Sequence, residues 1–151
     1  MRDFSCRQMR SYLLSFGRGD LVVEELSAFV RSRGINTGLV TAGIGSFDLC
    51  RLHTITSTGL PPQERFVTLR GPLEIGSLQG SIADGEPHIH VVLHDVANDA
   101  VHIGHLESGS RCCYRIEVGI LAFEGTVTRK RMDPTTQLVD IVAEDADAQP
   151  E

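Results

Sequence analysis

Residues 87–106 read Pro-His-Ile-His-Val-Val-Leu-His, then Asp-Val-Ala-Asn-Asp-Ala, then Val-His-Ile-Gly-His-Leu, and they hold five of the chain's six histidines. Imidazole is the commonest protein metal ligand. Two histidines at i and i+2 on a strand, joined by a third from the neighbouring strand, can present three nitrogens to Zn²⁺ or a similar ion at about 2.0–2.1 Å. His88 and His90 have that spacing, and His105 is the candidate third ligand. No cysteine adjoins them in sequence. Three protein ligands leave a position for water or substrate, whereas structural zinc sites are closed by four, often thiolates. The chemistry is therefore that of an open tri-histidine site holding a divalent transition metal, zinc first among them. Taken singly, each histidine reads as an ordinary hydrogen-bonded strand residue; the joint spacing makes the trio a metal site.

The elements that must position them follow from periodicity. Alternation with β-branched residues makes residues 87–94 one strand and 101–106 a second, joined at a turn marked by Asn98-Asp99. Side chains repeat every second residue, so His88 and His90 share a face and His94 lies on it further along. A connection of even length centred near Ala97-Asn98 sets His105 opposite or diagonal to His90, with Cβ atoms about 5 Å apart. His102 then faces the other way, and a one-residue bulge would turn His105 off the site.

Elsewhere the chain alternates short strands with glycine-rich punctuation. Residues 11–16 read as a strand and Gly17-Arg18-Gly19-Asp20 as a turn, with Asp20 the expected N-cap of a helix over 21–33. That helix carries Val22, Leu26, Phe29 and Val30 on its apolar stripe, with Glu24, Glu25, Arg31 and Arg33 wet. Strands are expected at 38–42 and 47–55, separated by a turn or bulge at Gly43-Ile44-Gly45-Ser46 where the backbone comes close to something. Others are expected at 65–69 and 73–82, separated by Gly71-Pro72. Residues 113–123 form a long strand, apolar on both faces over 118–123, as for a central strand or a subunit contact.

At 151 residues and 41% hydrophobic content the chain fits one domain with a real core. The expected division is an extension over 1–10, a domain over 11–142 and a disordered acidic tail over 143–151. Glu144, Asp145, Asp147 and Glu151 fall in that tail; without them 14 basic residues face 16 acidic ones, so the body is nearly neutral. No apolar run approaches the roughly 18 residues of a membrane span, and residues 1–10 lack a signal-peptide apolar region, which favours the cytoplasm. Cys6, Cys50, Cys112 and Cys113 show neither zinc nor redox spacing and read as free thiols.

Several of these motifs, in this order and spacing, resemble the plant and prokaryote conserved (PPC) domain. They are Gly43-Ile44-Gly45-Ser46, the run from Leu73-Glu74-Ile75-Gly76 to Ser81-Ile82, Pro87-His88-Ile89-His90, and Gly104-His105-Leu106. The resemblance spans about residues 11–128. It implies a compact α+β domain with a largely antiparallel mixed sheet of about seven strands and a helix packed on one face, assembled as a homotrimer. It also implies that His88, His90 and His105 match the metal-binding positions of prokaryotic members. Pro72 stands where plant members carry arginine, and Ile103 replaces the first glycine of the family's usual Gly-Gly-His. At fold level the resemblance extends to acetolactate decarboxylase, which holds zinc with three histidines.

Three functions follow from these readings. The first is a trimeric metal-binding protein that binds or acts on a small molecule, with Glu74 the carboxylate nominated as acid or base and Arg70 the cation for an anionic substrate. The second is a DNA-associated regulator, as in plant members, for which Arg129, Lys130 and Arg131 are the only phosphate-contacting stripe; with no Arg-Gly-Arg-Pro minor-groove element, tight DNA binding is not expected. The third is a trimeric interaction module without catalysis.

Overall fold

The computed structural model describes residues 5–125, 127–132 and 139–144. The elements in chain order are β1 (Cys6–Gly17), α1 (Val22–Ser32), β2 (Thr37–Ile55), β3 (Glu64–Ala83), β4 (Glu86–Asp95), β5 (Ala100–Leu106), β6 (Arg111–Gly125), β7 (Val127–Met132) and β8 (Val139–Glu144). Six strands form one sheet in the order β1-β6-β2-β3-β4-β5, and β7 pairs with β8. Every pairing among the described strands is antiparallel, so the sheet is not mixed.

Two expected breaks are bends inside long strands. β2 runs through Gly43-Ile44-Gly45-Ser46, with register shifts against β6 on either side of it. Gly45 has φ 125°, and a Cβ there would sit 2.1 Å from the Arg115 carbonyl oxygen, so the close backbone approach expected of this motif is with β6. β3 likewise continues through Gly71-Pro72, which fall where its pairing with β2 skips between Arg70 and Leu73. The missing proline N–H costs nothing at a bulge, and the Pro72 carbonyl instead accepts from Val96 N at 3.1 Å.

β1 begins at Cys6, five residues before the expected start. It is the edge strand of the sheet, and residues 7–11 are exposed, so they show no apolar alternation. Asp20 does not cap the helix. The N-cap is Leu21, without a side-chain hydrogen bond; the Asp20 carboxylate accepts instead from Gly17 N at 2.8 Å, and Val22 N donates to the Ser110 carbonyl. Glu24, expected to be wet, is half-buried and accepts from Gly109 N at 2.8 Å.

Arg129, Lys130 and Arg131 lie on β7, whereas their side chains lie outside the described set. β8 takes in Ala143 and Glu144, the first two residues of the expected tail; residues 145–151 lie outside the described residues.

The core draws on the inward side of nearly every strand, with Phe47, Leu52, Leu73, Leu78, Ile89, Leu93, Ile116 and Ile120 at its centre. The helix contributes Val22, Leu26 and Val30. β6 lies between β1 and β2 and turns Ile116, Val118, Ile120 and Ala122 into the core, while Gly119, Leu121 and Phe123 on its other face are half-buried. The decisive topological feature is a closure: β5, at the end of the sheet, pairs back onto β2 through Leu52 with Leu106 and His53 with His105. Strands β2, β3, β4 and β5 thus form a ring.

Candidate metal centre

The β4–β5 hairpin has the register that a metal site needs. Its connection is the four residues 96–99 between the paired Asp95 and Ala100, which sets His90 directly opposite His105. The turn is held by Asp95, whose Oδ1 accepts from Asn98 N at 3.2 Å and whose Oδ2 accepts from Asn98 Nδ2 at 2.8 Å. Hydrogen bonds from Asn98 hold the Asp95 carboxyl below its ordinary range. Asp99 closes the turn with φ 48°.

His88 and His90 stack in parallel, 3° apart in plane, with their Nε2 atoms separated by 3.2 Å. The His105 ring stands nearly perpendicular to both, with centroids 4.6 Å from His88 and 5.7 Å from His90. Two nitrogens bound tetrahedrally at 2.0–2.1 Å from one ion lie about 3.3 Å apart, so the observed spacing fits a shared ion. His94 pairs with Val101, further along the same face, while His102 pairs with Leu93 on the inward side, 3.9 Å from Asp95.

Two residues that sequence reasoning missed complete the cluster. His53, the one histidine outside the hairpin, reaches it through the β2–β5 closure and stacks on His105 at 4.6 Å. Glu107 follows β5, and its Oε1 accepts from His53 Nδ1 at 2.6 Å and from His105 Nδ1 at 2.9 Å. Donor atoms of His53, His105 and Glu107 all lie within 4.8 Å of one another, the one such trio of metal-binding side chains among the described residues, with His88 and His90 outside it. The 2.6 Å contact, however, is shorter than the edge of a tetrahedral ligand set and is that of a charge-assisted hydrogen bond. Nothing local in the sequence signals this pairing, since 54 residues separate His53 from Glu107.

Burial, with His53 adding to it and Glu107 opposing, holds the His105 imidazole below its ordinary range. The shift favours the neutral ring, the state a metal ligand requires. Gly104 makes the approach of β5 to β2 possible: a Cβ there would fall 2.7 Å from the His53 carbonyl oxygen. Around the histidines opens a cleft of about 360 Å³, walled also by Thr54, Ile55 and Ile103.

The other nominated residues do not join them within the chain. Glu74 is exposed and pairs with His94, four residues and about 13 Å along the strand from His90. Arg70 is exposed and pairs with Leu49, as far again from His53 on β2. Both lie on the unexpectedly long β3, whose antiparallel course carries them away from the histidines. The carboxylate at the site is Glu107.

A curled antiparallel sheet carrying clustered histidines on its outer face defines the class. Residues 4–124 match the Plants and Prokaryotes Conserved (PCC) domain, also written PPC, and the chain belongs to that family. A hypothetical protein from Salmonella is 20% identical with a TM-score of 0.80, over 96% of this chain and 99% of its own. A metal-containing protein from Archaeoglobus fulgidus is 26% identical with a TM-score of 0.80, over 94% and 99%. A PPC protein from Pyrococcus horikoshii is 22% identical with a TM-score of 0.77, over 92% and 96%. No curated protein matches the sequence at a significant level.

Proposed function

We propose that this chain is a metal-binding PPC-domain protein that works as a homotrimer and uses an open site formed by His88, His90 and His105 to bind or act on a small molecule. The observation that carries the reading is the 3.2 Å separation of the His88 and His90 Nε2 atoms with His105 directly opposite His90. The metal-containing relative from Archaeoglobus fulgidus supports it. All three ligands are imidazoles, a donor set that suits zinc.

When bound, such an ion polarises a carbonyl or lowers the pKa of a bound water to about 7. The chain's own residues supply the rest. His105 offers Nε2 while Glu107 holds its Nδ1, and the cleft leaves the ligand side open to a molecule of modest size. Its walls, Ile55 and Ile103 among them, favour a ligand with an apolar portion beside the group that meets the ion.

Self-association, which the proposed trimer requires, has its own support. Strand pairing places Leu13, Leu39, Ile44, Val101 and Ile103 on the same outward face as His88 and His90. Leu13 is 77% exposed, Val101 65% and Ile103 60%. Large apolar side chains left in water on the outer side of the sheet are what a contact between copies would bury.

Metal analysis of protein purified without a histidine tag or chelating resin, run with light scattering, tests both halves. About one transition-metal ion per chain and a mass near three times 16.5 kDa are expected. Metal-free protein rejects the site, and a monomer at micromolar concentration rejects the assembly.

A further inference from the structure

We infer that Glu107 is the positioning residue of the tri-histidine centre, a role that rests on the metal reading above. An ionised carboxylate has no proton to give, so its short contacts require both His53 and His105 to carry their protons on Nδ1. That tautomer leaves Nε2 of His105 as its lone-pair nitrogen, matching the Nε2 atoms that His88 and His90 bring together. A ligating histidine whose second nitrogen donates to a carboxylate is fixed in orientation and made a better donor. One carboxylate oxygen here does this for His105 and ties it to His53, which also lines the cleft.

Glu107 is itself held in place. Its backbone N–H donates to the Arg51 carbonyl at 2.9 Å, and its carbonyl accepts from Ser110 Oγ at 2.7 Å. Arg51 N donates to Ser110 Oγ at 3.0 Å, and Arg51 Nη1 to the Ser108 carbonyl at 3.2 Å. Glu24, from the helix, binds Gly109 N. The loop from Glu107 to Ser110 is thereby fastened to β2 on one side and α1 on the other. The backbone that carries Glu107 is thus held by contacts within the chain.

The test is zinc affinity of the untagged full chain, by competition with a chromophoric chelator, for the parent, Glu107→Ala, Glu107→Gln, His53→Ala and His105→Ala, with circular dichroism as the fold control. Glu107→Ala is expected to weaken zinc about 10–100-fold with saturation still at one ion per chain. Glu107→Gln, which keeps an acceptor oxygen, recovers part of that loss. Long-range ¹H–¹⁵N spectra of zinc-free protein supply a readout that simple loss of stability would not move: His53 and His105 are Nδ1-protonated in the parent, and Glu107→Ala releases them from that tautomer. Parental zinc affinity in a folded Glu107→Ala, or unchanged tautomers, overturns the inference. So does a parent that binds two zinc ions and loses one in His53→Ala, since Glu107 would then be a ligand. Failure of the underlying reading looks different: His105→Ala keeps parental affinity while Glu107→Ala loses it, or the parent takes up no zinc at all.

Discussion

Side chains in this protein are sorted by what they face. Cys50 is buried beside Ser110, and burial pushes its thiol up to about 12, while Cys112 is raised for the same reason. Thiolate is the reactive form, so a disulfide-exchange reagent at pH 8 should titrate no more than two thiols in the native protein, those of half-buried Cys6 and Cys113. All four should react after unfolding; rapid native reaction of a third would contradict the described burial. Asp95 makes a second residue-scale prediction. A carboxyl whose folded pKa lies below the usual 3.8 contributes stability above that value and loses it as pH falls through the folded pKa. Asp95→Asn should therefore lower the melting temperature at pH 7, and the gap to the parent should narrow by pH 3. A gap that is constant with pH would show that the turn does not depend on the charge.

At the scale of elements, local pairing was legible and distant pairing was not. The hairpin register follows from a four-residue connection and period-two alternation, both contained in twenty consecutive residues, so His90 opposite His105 could be expected from sequence. His53 and Glu107 could not, because their meeting depends on β5 closing onto β2. Glycine signals did not separate turns from bulges: Gly43 to Ser46, expected as a turn or bulge with a close backbone approach, lies at register shifts inside one long strand, and Gly71-Pro72, expected to separate two strands, lies at another. Asp20 was misplaced as a cap because the Ser110 carbonyl, remote in sequence, already serves the helix N-terminus. The closure also makes a prediction. Gly104→Ala forces a methyl group to 2.7 Å from the His53 carbonyl, and overpacking of this kind costs about 1–3 kcal/mol. Chemical denaturation should show that loss, together with weaker zinc binding as His105 moves from His53 and Glu107. An unchanged midpoint would mean that β2 and β5 are not held so closely.

For the whole molecule, charge and assembly separate the competing functions. The net charge is -6, and Arg129, Lys130 and Arg131 are the only run of consecutive basic residues in the sequence. Binding to an A·T-rich duplex at physiological salt should be no tighter than the roughly 10⁻⁴–10⁻⁶ M of generic association. Nanomolar binding that weakens steeply between about 50 and 200 mM salt would instead favour a DNA-associated regulator. Metal binding should respond to pH rather than salt, falling as the imidazoles protonate. The most direct test of the shared site is metal content across five alanine variants of the untagged protein, at His88, His90, His105, His94 and His102. The first three should each lose most of the metal, while His94→Ala and His102→Ala retain about one ion per chain, with all five folded. Retention by His105→Ala, or loss by His94→Ala or His102→Ala, would contradict the convergence of the three imidazoles.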